Sequence, residues 1–382
     1  MNPIRNQVAG VVSSAKIVVM ALLVALLVTA CATAPAPKAG PVFFPPPPSE
    51  PRVQFLKSVN SSRDVEPDKS GFTLLVTGTS EKDLIKPIIR PYGVKYIRGK
   101  LYICDTQSPP SVIIVDFKNK TFNYLKGNTN LGRLKKPINL AVDKDGGLFV
   151  ADSLRQEILR YDAAGNYIGS IGKENLTKPV DVAVDDTSIF VLDIKGNDIK
   201  VFDRKTGQFE KSIQKNTDGT PFLSLPTNLT VDSKGLIHVT NVGAGNVVTL
   251  DKDGHLINTF GKLGDAFGEF TRPKGIAVDD KNRTWVVDGG FQNVQLFNEN
   301  NRLLMFFGDP PLPAGALNLP AGITVTNEDL DYFQQFAAPD FVLEQVVFVT
   351  NQMGNDKISV YGFGHRKGAA ETSPEAAGRK AD

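Results

Sequence analysis

The chain of 382 residues is 41% hydrophobic and 22% charged, a composition that excludes a wholly disordered protein. With three histidines, two cysteines and one tryptophan it also excludes a histidine-rich metal centre, a disulfide framework and a zinc ribbon, and it has no Cys-x-x-Cys-His motif for covalent haem. Without Arg5 and Lys16 of the first 30 residues, the 43 basic side chains fall to 41 and match the 41 acidic ones, so we expect no nucleic-acid binding from this neutral chain.

The N-terminus has the pattern of an export signal. Residues 17–30 form an uncharged run of 14 residues, shorter than the roughly 20 of a membrane-spanning helix, and match the apolar region of a secretory signal. The run ends Val-Thr-Ala before Cys31, which resembles the bacterial lipobox. That resemblance implies a signal peptide over 1–30, a lipid anchor on Cys31 and, because Ala32 rather than an acid follows, the outer membrane. The alternative is an ordinary signal peptide with a cysteine here by chance.

Two segments flank the part of the chain that carries the repeats described below. Residues 32–51 contain eight prolines, which favour an extended backbone, so we assign 31–51 to a semi-rigid tether that reaches about 60 Å when extended. A proline-motif ligand for another protein is the alternative. Residues 365–382 are polar and small, and we predict a disordered tail there.

Six segments of similar sequence follow one another between these flanks. Each opens with a proline, at intervals of 42 to 47 residues: Pro91, Pro137, Pro179, Pro226, Pro273 and Pro320. After each proline come a short apolar strand, a turn rich in Gly, Asp and Lys, a second strand that ends in Asp or Asn, and a third strand. A fourth strand is clear in four segments. Four strands in about 45 residues predict a propeller blade, because a single sheet cannot bury both faces and blades cover one another.

The fifth segment shows the pattern best. Residues 273–308 begin Pro-Lys-Gly-Ile-Ala-Val-Asp and continue through Thr-Trp-Val-Val-Asp into a third and a fourth strand. This pattern resembles the NHL repeat, and the resemblance extends over about 91–364. It implies an all-β fold, a six-bladed β-propeller with four-stranded blades. The whole layout of lipobox, tether and propeller resembles bacterial envelope lipoproteins.

The two ends of the repeat array are irregular. The last segment lacks a fourth strand, and residues 52–59 (Arg-Val-Gln-Phe-Leu-Lys-Ser-Val) look like one, so we predict that they close the ring by pairing with the last blade. The propeller is thus expected over 52–364. In the first segment Lys95 and Arg98 stand where others have Ala-Val-Asp, and residues 60–90 contain one unplaced strand, 72–77.

The acidic and amide residues at strand ends allow two interpretations. The second strands end in Asp105, Asp152, Asp193, Asn241, Asp288 and Asn351. The first strands end in Asp143, Asp185, Asp232 and Asp279. A ring of such oxygens could hold a cation on the propeller axis. We favour the second interpretation, in which these short side chains accept hydrogen bonds from the backbone of the following turn.

The remaining reactive residues form no catalytic set. His238, His255 and His365 are scattered over a strand, a turn and the tail, whereas NHL-type amidating lyases, which this pattern resembles, need a histidine-coordinated metal. Cys104 lies between apolar neighbours in a second strand, and we predict a buried side chain rather than a nucleophile. Neither a Gly-x-Ser-x-Gly motif nor a phosphate-binding loop occurs. We predict no catalytic residue, no metal site and no cofactor.

The most unusual segment is an insertion of 19 residues, 327–345, in the last blade, where other blades have a turn. It is acidic and aromatic, and residues 329–337 could form a short helix that ends before Pro339. Its candidate interaction residues are Asp329, Asp331, Tyr332, Phe333, Phe336 and Phe341. Long loops on propellers commonly carry function and aromatics suit binding surfaces, but a flap packed on the closing blade explains the same residues.

Three functions remain open. The first is a non-catalytic scaffold or binding module in the cell envelope, lipid-anchored at Cys31, which presents a face of the disc to a protein or glycan partner in the periplasm or at the cell surface. The second is a metal-dependent propeller hydrolase or lyase. The third is a structural component of an extracellular electron-transfer or polysaccharide-export complex, with no haem of its own. Fold alone does not decide among them.

Overall fold

The computed structural model describes residues 40–67, 84–107, 109–310, 312 and 314–368. The described residues from Pro41 onward form one compact unit of six antiparallel sheets. The expected signal peptide, Cys31, the tether up to residue 39, the strand expected at 72–77 and residues 369–382 lie outside the described residues. Among the described residues, no helix has the length and apolar character needed to cross a membrane.

Each sheet is one blade, and its strands follow one another from the innermost outward. Blade 1 consists of β3 (Pro91–Ile97), β4 (Lys100–Asp105), β5 (Ser111–Asp116) and β6 (Thr121–Tyr124). Blade 2 consists of β7 (Pro137–Val142), β8 (Leu148–Asp152), β9 (Glu157–Tyr161) and β10 (Tyr167–Ile171). Blade 3 consists of β11 (Pro179–Val184), β12 (Ser188–Asp193), β13 (Asp198–Asp203) and β14 (Phe209–Ile213). Blade 4 consists of β15 (Pro226–Val231), β16 (Ile237–Asn241), β17 (Asn246–Leu250) and β18 (Leu256–Phe260). Blade 5 consists of β19 (Pro273–Val278), β20 (Thr284–Asp288), β21 (Asn293–Phe297) and β22 (Leu303–Phe307). Blade 6 consists of β23 (Pro320–Thr326), β24 (Phe341–Asn351), β25 (Ile358–Arg366), β2 (Val53–Val59) and β1 (Phe43–Phe44). The prediction of a six-bladed propeller is confirmed.

The core lies between neighbouring blades, as the strand patterns predict. Second strands have mainly apolar centres and are covered on both faces; all five residues of β20 are buried. Outer strands are only half covered, so β18 shows alternating exposure. Trp285 illustrates the packing: it is fully buried, with ring centroids 6.3 Å from Phe307 and 5.4 Å from Phe363 of the next blade. Burial of each such apolar side chain stabilises the folded state by about 2 kcal/mol.

The ring closes as the sequence predicts. Strand β2 pairs antiparallel with β25, from Val53 opposite Phe363 to Val59 opposite Ile358. The closing blade also has a fifth strand, β1, whose residues Phe43 and Phe44 pair with β2 inside the stretch assigned to the tether. The tether boundary at residue 51 is therefore wrong, because the Phe44 ring is 5% exposed and packs between blades.

Strands β24 and β25 are longer than the sequence analysis predicts. They continue as a hairpin until Phe341 lies opposite Arg366, so the segment between β23 and β24 covers 327–340 and the tail begins after Arg366 rather than after residue 364. The cause is the alternating burial along Phe-Val-Leu-Glu-Gln: Phe341, Leu343 and Gln345 point inward while the residues between them are less buried. Among the described residues, the helical elements are α1 (Leu330–Gln334) and two 3₁₀ turns, Ser62–Asp64 and Asn130–Gly132.

The antiparallel order gives the propeller two distinct faces. We call the side where the six prolines begin the inner strands the proline face; its loops join second to third strands and each blade to the next. The opposite side, the turn face, contains the loops from first to second and from third to fourth strands, including the 327–340 segment.

Candidate functional site

The ring of Asp and Asn residues at the ends of second strands binds backbone, as predicted. Asp152 is fully buried and accepts hydrogen bonds from the amides of Lys135 (2.6 Å), Lys136 (3.0 Å), Leu154 (3.1 Å) and Arg155 (3.0 Å). The first two amides belong to the loop before β7, and the other two belong to the turn after β8. One carboxylate therefore connects two loops of the proline face. Asp105, Asp193, Asp288, Asn241 and Asn351 occupy the equivalent places.

The Asp residues at the ends of first strands have the same structural role on the turn face. Asp279 accepts from the backbone amide of Arg283 at 3.0 Å, from the Arg283 Nε at 2.7 Å and from the Trp285 indole at 3.0 Å. Asp232 lies 2.9 Å from His238 Nε2, and Thr249 Oγ1 is 3.1 Å from the other ring nitrogen. The histidine is 8% exposed, so it is held inside its blade.

Three polar side chains line one half of the central channel. Asn139, Asp181 and Asn228 occupy the same position, two residues after the opening proline, on the inner strands of blades 2, 3 and 4. Blades 1, 5 and 6 have Gly93, Gly275 and Gly322 there. A Cβ at Gly322 would lie 2.3 Å from the Tyr92 carbonyl oxygen, so glycine lets these strands approach closely. A cavity of about 90 Å³ lies between the inner strands of all six blades, and these three polar side chains form part of its lining.

A buried acid and a lysine face this cavity. Burial raises the pKa of Asp181 to about 7, although the Leu229 and Val182 amides, at 2.9 and 2.8 Å, and the charge of Lys95 all favour its ionised form. Burial lowers the pKa of Lys95, and Asp181 opposes that change. Among the described residues, Asn228 Oδ1 is buried without a hydrogen-bond partner. The channel can therefore hold a small polar ligand next to Asp181, an acid whose pKa lies near neutrality.

The aromatic residues of the 327–340 segment pack inward. Phe333 of α1 and Phe341 are fully buried, and Phe333 meets Tyr96, Phe117 and Phe348 at centroid distances of 6.1, 5.4 and 5.5 Å. Tyr332 and Phe336 are half-buried at the edge of this cluster. The segment thus fastens blade 6 to blade 1, and Phe333 and Phe341, expected as interaction residues, do not reach the surface.

Polar contacts strengthen the same junction. Asp329 accepts from the Tyr96 hydroxyl at 2.5 Å and pairs with Lys118 at 2.7 Å. Burial raises the pKa of Asp329, but the hydrogen bonds from Lys118 and Tyr96 outweigh it and leave the pKa lowered. Of the predicted interaction residues, Asp331 alone is well exposed, with 78% of its side chain accessible, and it lies 3.4 Å from Lys118.

The sequence candidates for other chemistry do not converge. Cys104 is fully buried, as predicted, and burial raises its thiol pKa well above the ordinary value. His255 lies in an exposed turn with Asp251 and Asp253, and its Nδ1 is 2.8 Å from Asp251. His365 lies in β25, 3.0 Å from Glu344, rather than in a disordered tail.

Exposed apolar side chains are distributed unevenly over the surface. Among the described residues, the large apolar side chains exposed on the proline face are Ile89, Leu131, Leu154, Leu225, Leu263, Phe267 and Met353. Those exposed on outer strands are Tyr124, Ile168, Phe209, Ile257 and Phe306. The described loops of the turn face contribute none. The largest exposures, 76% for Leu131 and 82% for Phe267, are both on the proline face. This distribution was not visible from sequence, because it depends on which loops share a face.

Comparisons with known proteins identify the fold. No protein-family model matches the chain, and no curated protein matches it. Among solved structures, a Bacteroides thetaiotaomicron protein of unknown function is 14% identical with a TM-score of 0.54, over 81% of this chain and 75% of that one. A streptogramin B lyase is 14% identical with a TM-score of 0.50, over 72% of this chain and 83% of that one. A catalytically inactive histidine-to-alanine variant of Staphylococcus aureus virginiamycin B lyase, solved with quinupristin, has the same identity and TM-score, over 72% and 96%. Such identities show a shared propeller fold alone.

Proposed function

We propose that this chain is a non-catalytic envelope lipoprotein whose propeller is a binding module, and that the proline face presents the contact surface to a protein partner. The observation that supports this choice of face is the uneven distribution of exposed apolar side chains. Exposed apolar side chains that share one face of a domain can mark an interaction site. Aliphatic and aromatic residues that become buried on association form the core of such interfaces.

The membrane attachment in this proposal rests on the N-terminal sequence. The apolar run 17–30, Cys31 and the proline-rich stretch fit a lipid anchor and a spacer on the outer membrane. In the structure the chain enters the propeller at β1, the outermost strand of blade 6.

The 327–340 segment has a smaller role in this proposal than in the sequence analysis. Its large aromatic side chains stabilise the junction of blades 6 and 1, so a partner would meet chiefly Asp331 and the edges of Tyr332 and Phe336. We therefore place the main contact on the opposite face.

Affinity capture from crosslinked native envelopes tests the proposal. The full-length protein is compared with a triple variant, Leu131→Ser, Leu154→Ser and Leu225→Ser, and with a matched double variant on outer strands, Ile168→Ser and Ile257→Ser, whose exposures of 57% and 56% are similar. The proposal predicts a partner that is lost with the proline-face variant and kept with the control. The binding measurement is then repeated with the purified partner. A partner that both variants still capture would contradict the proposal that the proline face is the contact surface.

A metal-dependent lyase or hydrolase is the second candidate, favoured by the polar channel and by the lyases that share the fold. It would use Asn139, Asp181 and Asn228 as oxygen ligands, which suit a hard cation such as Ca²⁺. Calorimetry with Ca²⁺ and Zn²⁺, together with thermal melts in chelator, tests this candidate. No heat of binding and an unchanged melting temperature would argue against it.

The third candidate, a component of an electron-transfer or export complex, is decided by the identity of the captured partner.

A further inference from the structure

A buried lysine lies at the mouth of the central channel on the proline face. Lys274 is the second residue of β19 in blade 5, and its side chain is 5% exposed. Its Nζ lies 5.2 Å from the ring centroid of Tyr92, the second residue of β3 in blade 1. Blade 6 stands between these two blades and has the small Ala321 at the same position. Tyr92 in turn packs against a buried apolar cluster of blades 2 to 4, so the ammonium and the ring meet at the centre of the propeller.

The Lys274 ammonium has no counter-charge in the described part of the chain. Within those residues it forms no ion pair and no hydrogen bond, and its recorded contact is the Tyr92 ring. Burial, together with the charges of Arg272 and Arg90, lowers its pKa to about 8. An ammonium that leaves water without a partner is unfavourable, and two guanidinium groups of the same sign increase the penalty.

A ligand can reach this ammonium. Among the described residues, the unpartnered side-chain atoms that are fully enclosed do not include Lys274 Nζ, so this atom keeps accessible surface at the channel mouth. Because the residue as a whole is only 5% exposed, the opening that leads to the ammonium is narrow. The site therefore admits a small group, carried on the end of a side chain or a chain terminus.

Exposed cations surround the same mouth. The residue before the opening proline is cationic in blades 1, 2, 3 and 5: Arg90, Lys136, Lys178 and Arg272. All four side chains are exposed, and none of them forms an ion pair within the described residues. The strand-end carboxylates beneath them are already occupied; Asp288, for example, accepts hydrogen bonds from four backbone amides. The mouth thus presents positive charge that the carboxylates of the fold do not pair.

The ligand that this arrangement suits is an oxyanion. Ammonium and guanidinium groups donate hydrogen bonds and accept none, so a ligand must bring acceptor atoms to satisfy them. Carboxylates and phosphates both pair with arginine through two parallel hydrogen bonds. The narrow opening favours a flat carboxylate over a tetrahedral phosphate, and a protein partner carries carboxylates on Asp, Glu and its C-terminus.

We propose that the mouth of the channel on the proline face binds a carboxylate group of the protein partner, paired with Lys274, Arg272 and Arg90. This inference rests on the proposed function, because the carboxylate belongs to the partner that docks on the proline face. The recognition of a carboxylate by the mouth can be tested without that partner.

The test uses the full-length protein in detergent and three small probes, with binding followed by NMR of each probe. N-acetyl-glutamate amide carries one side-chain carboxylate, N-acetyl-glutamine amide is its neutral isostere, and inorganic phosphate is the competing oxyanion. We expect the glutamate probe to bind at least about tenfold more tightly than the glutamine probe, because charge-assisted hydrogen bonds are roughly twice as strong as neutral ones. We also expect it to bind more tightly than phosphate.

Lys274→Met is the most direct variant, because it removes the charge and keeps the length of the buried side chain. It should weaken binding of the glutamate probe by at least about tenfold, in line with the loss of a hydrogen bond between charged groups. Its melting temperature should equal or exceed that of the wild type, since an apolar group replaces a buried, unpaired charge. Arg272→Gln should weaken binding about threefold, as for an exposed ion pair. Lys195→Gln, which removes another exposed cation of the proline face, is the matched control and should leave binding unchanged.

Four binding results would overturn the inference: no binding of the glutamate probe, equal binding of the glutamine probe, tighter binding of phosphate, or an equal loss in the Lys195→Gln control. A melting temperature of Lys274→Met well below that of the wild type would also overturn it, because the ammonium would then have a partner in the fold. Failure here is distinguishable from failure of the proposed function. If the glutamate probe does not bind while the Leu131, Leu154 and Leu225 variant still loses its partner, only the channel mouth is misassigned. If the probe binds while that variant keeps its partner, only the docking residues are misassigned.

Discussion

The carboxylate of Asp152 provides a quantitative test of how the blades are held together. It is fully buried and accepts hydrogen bonds from four backbone amides in two loops. At a net value of about 1 kcal/mol for each hydrogen bond, Asp152→Ala should lower the free energy of unfolding by about 4 kcal/mol. In a domain of this size, with an entropy of unfolding of roughly 0.65 kcal/mol/K, that corresponds to a fall in Tm of about 6 °C.

Asp152→Asn is the matched control, because Asn241 and Asn351 fill the equivalent position in other blades. It keeps one acceptor oxygen, so we expect about half the loss, roughly 2 kcal/mol. Urea denaturation of both variants, with and without a chelator, provides the measurement. An alanine variant within about 1 kcal/mol of the wild type would refute the reasoning. So would a wild type that loses the same stability in chelator, since the carboxylate would then serve a metal.

Three further predictions follow from packing and electrostatics. Deleting 52–59 should lower the free energy of unfolding by at least about 4 kcal/mol from its two buried valines alone, and an unchanged melting temperature would refute ring closure by this strand. Phe333→Ala should lower the free energy of unfolding by about 3–5 kcal/mol, whereas Gln335→Ala, on the exposed side of the segment, should change it by no more than about 0.5 kcal/mol. Equal effects of the two substitutions would show that the aromatic side chains do not hold the segment in place. Because the pKa of Asp181 is raised to about 7 in the folded state, its ionisation opposes folding, so stability should fall as the pH rises from about 4 to 7 by up to about 4 kcal/mol and level off above. Asp181→Asn should remove this slope, and an unchanged slope in denaturant titrations would contradict the burial of the charge.

The architecture was predictable because it repeats. Six similar segments define six blades, and the closing strand is recognisable since Phe-Leu-Lys-Ser-Val of β2 resembles Phe-Glu-Lys-Ser-Ile of β14. The fifth strand was missed because the prolines after Phe44 suggested an extended spacer. The long hairpin of blade 6 was missed because Gly362 and Gly364 suggested the end of a strand, although the alternating pattern at 341–345 could have revealed it.

The functional surfaces were less predictable. The polar channel residues Asn139, Asp181 and Asn228 share one repeat position, so an alignment of the six segments could have found them. The buried state of Phe333 depends on the aromatic partners that blade 1 brings, which no local pattern shows.

Site-specific photo-crosslinking in intact cells tests the central claim most directly. A photoreactive residue is placed at Leu154 on the proline face or at Gln335 on the turn face, both exposed and away from the channel. The account predicts a crosslinked protein partner from Leu154 and none from Gln335. A partner that crosslinks from Gln335 and not from Leu154 would contradict it, and the turn face would then be the binding surface.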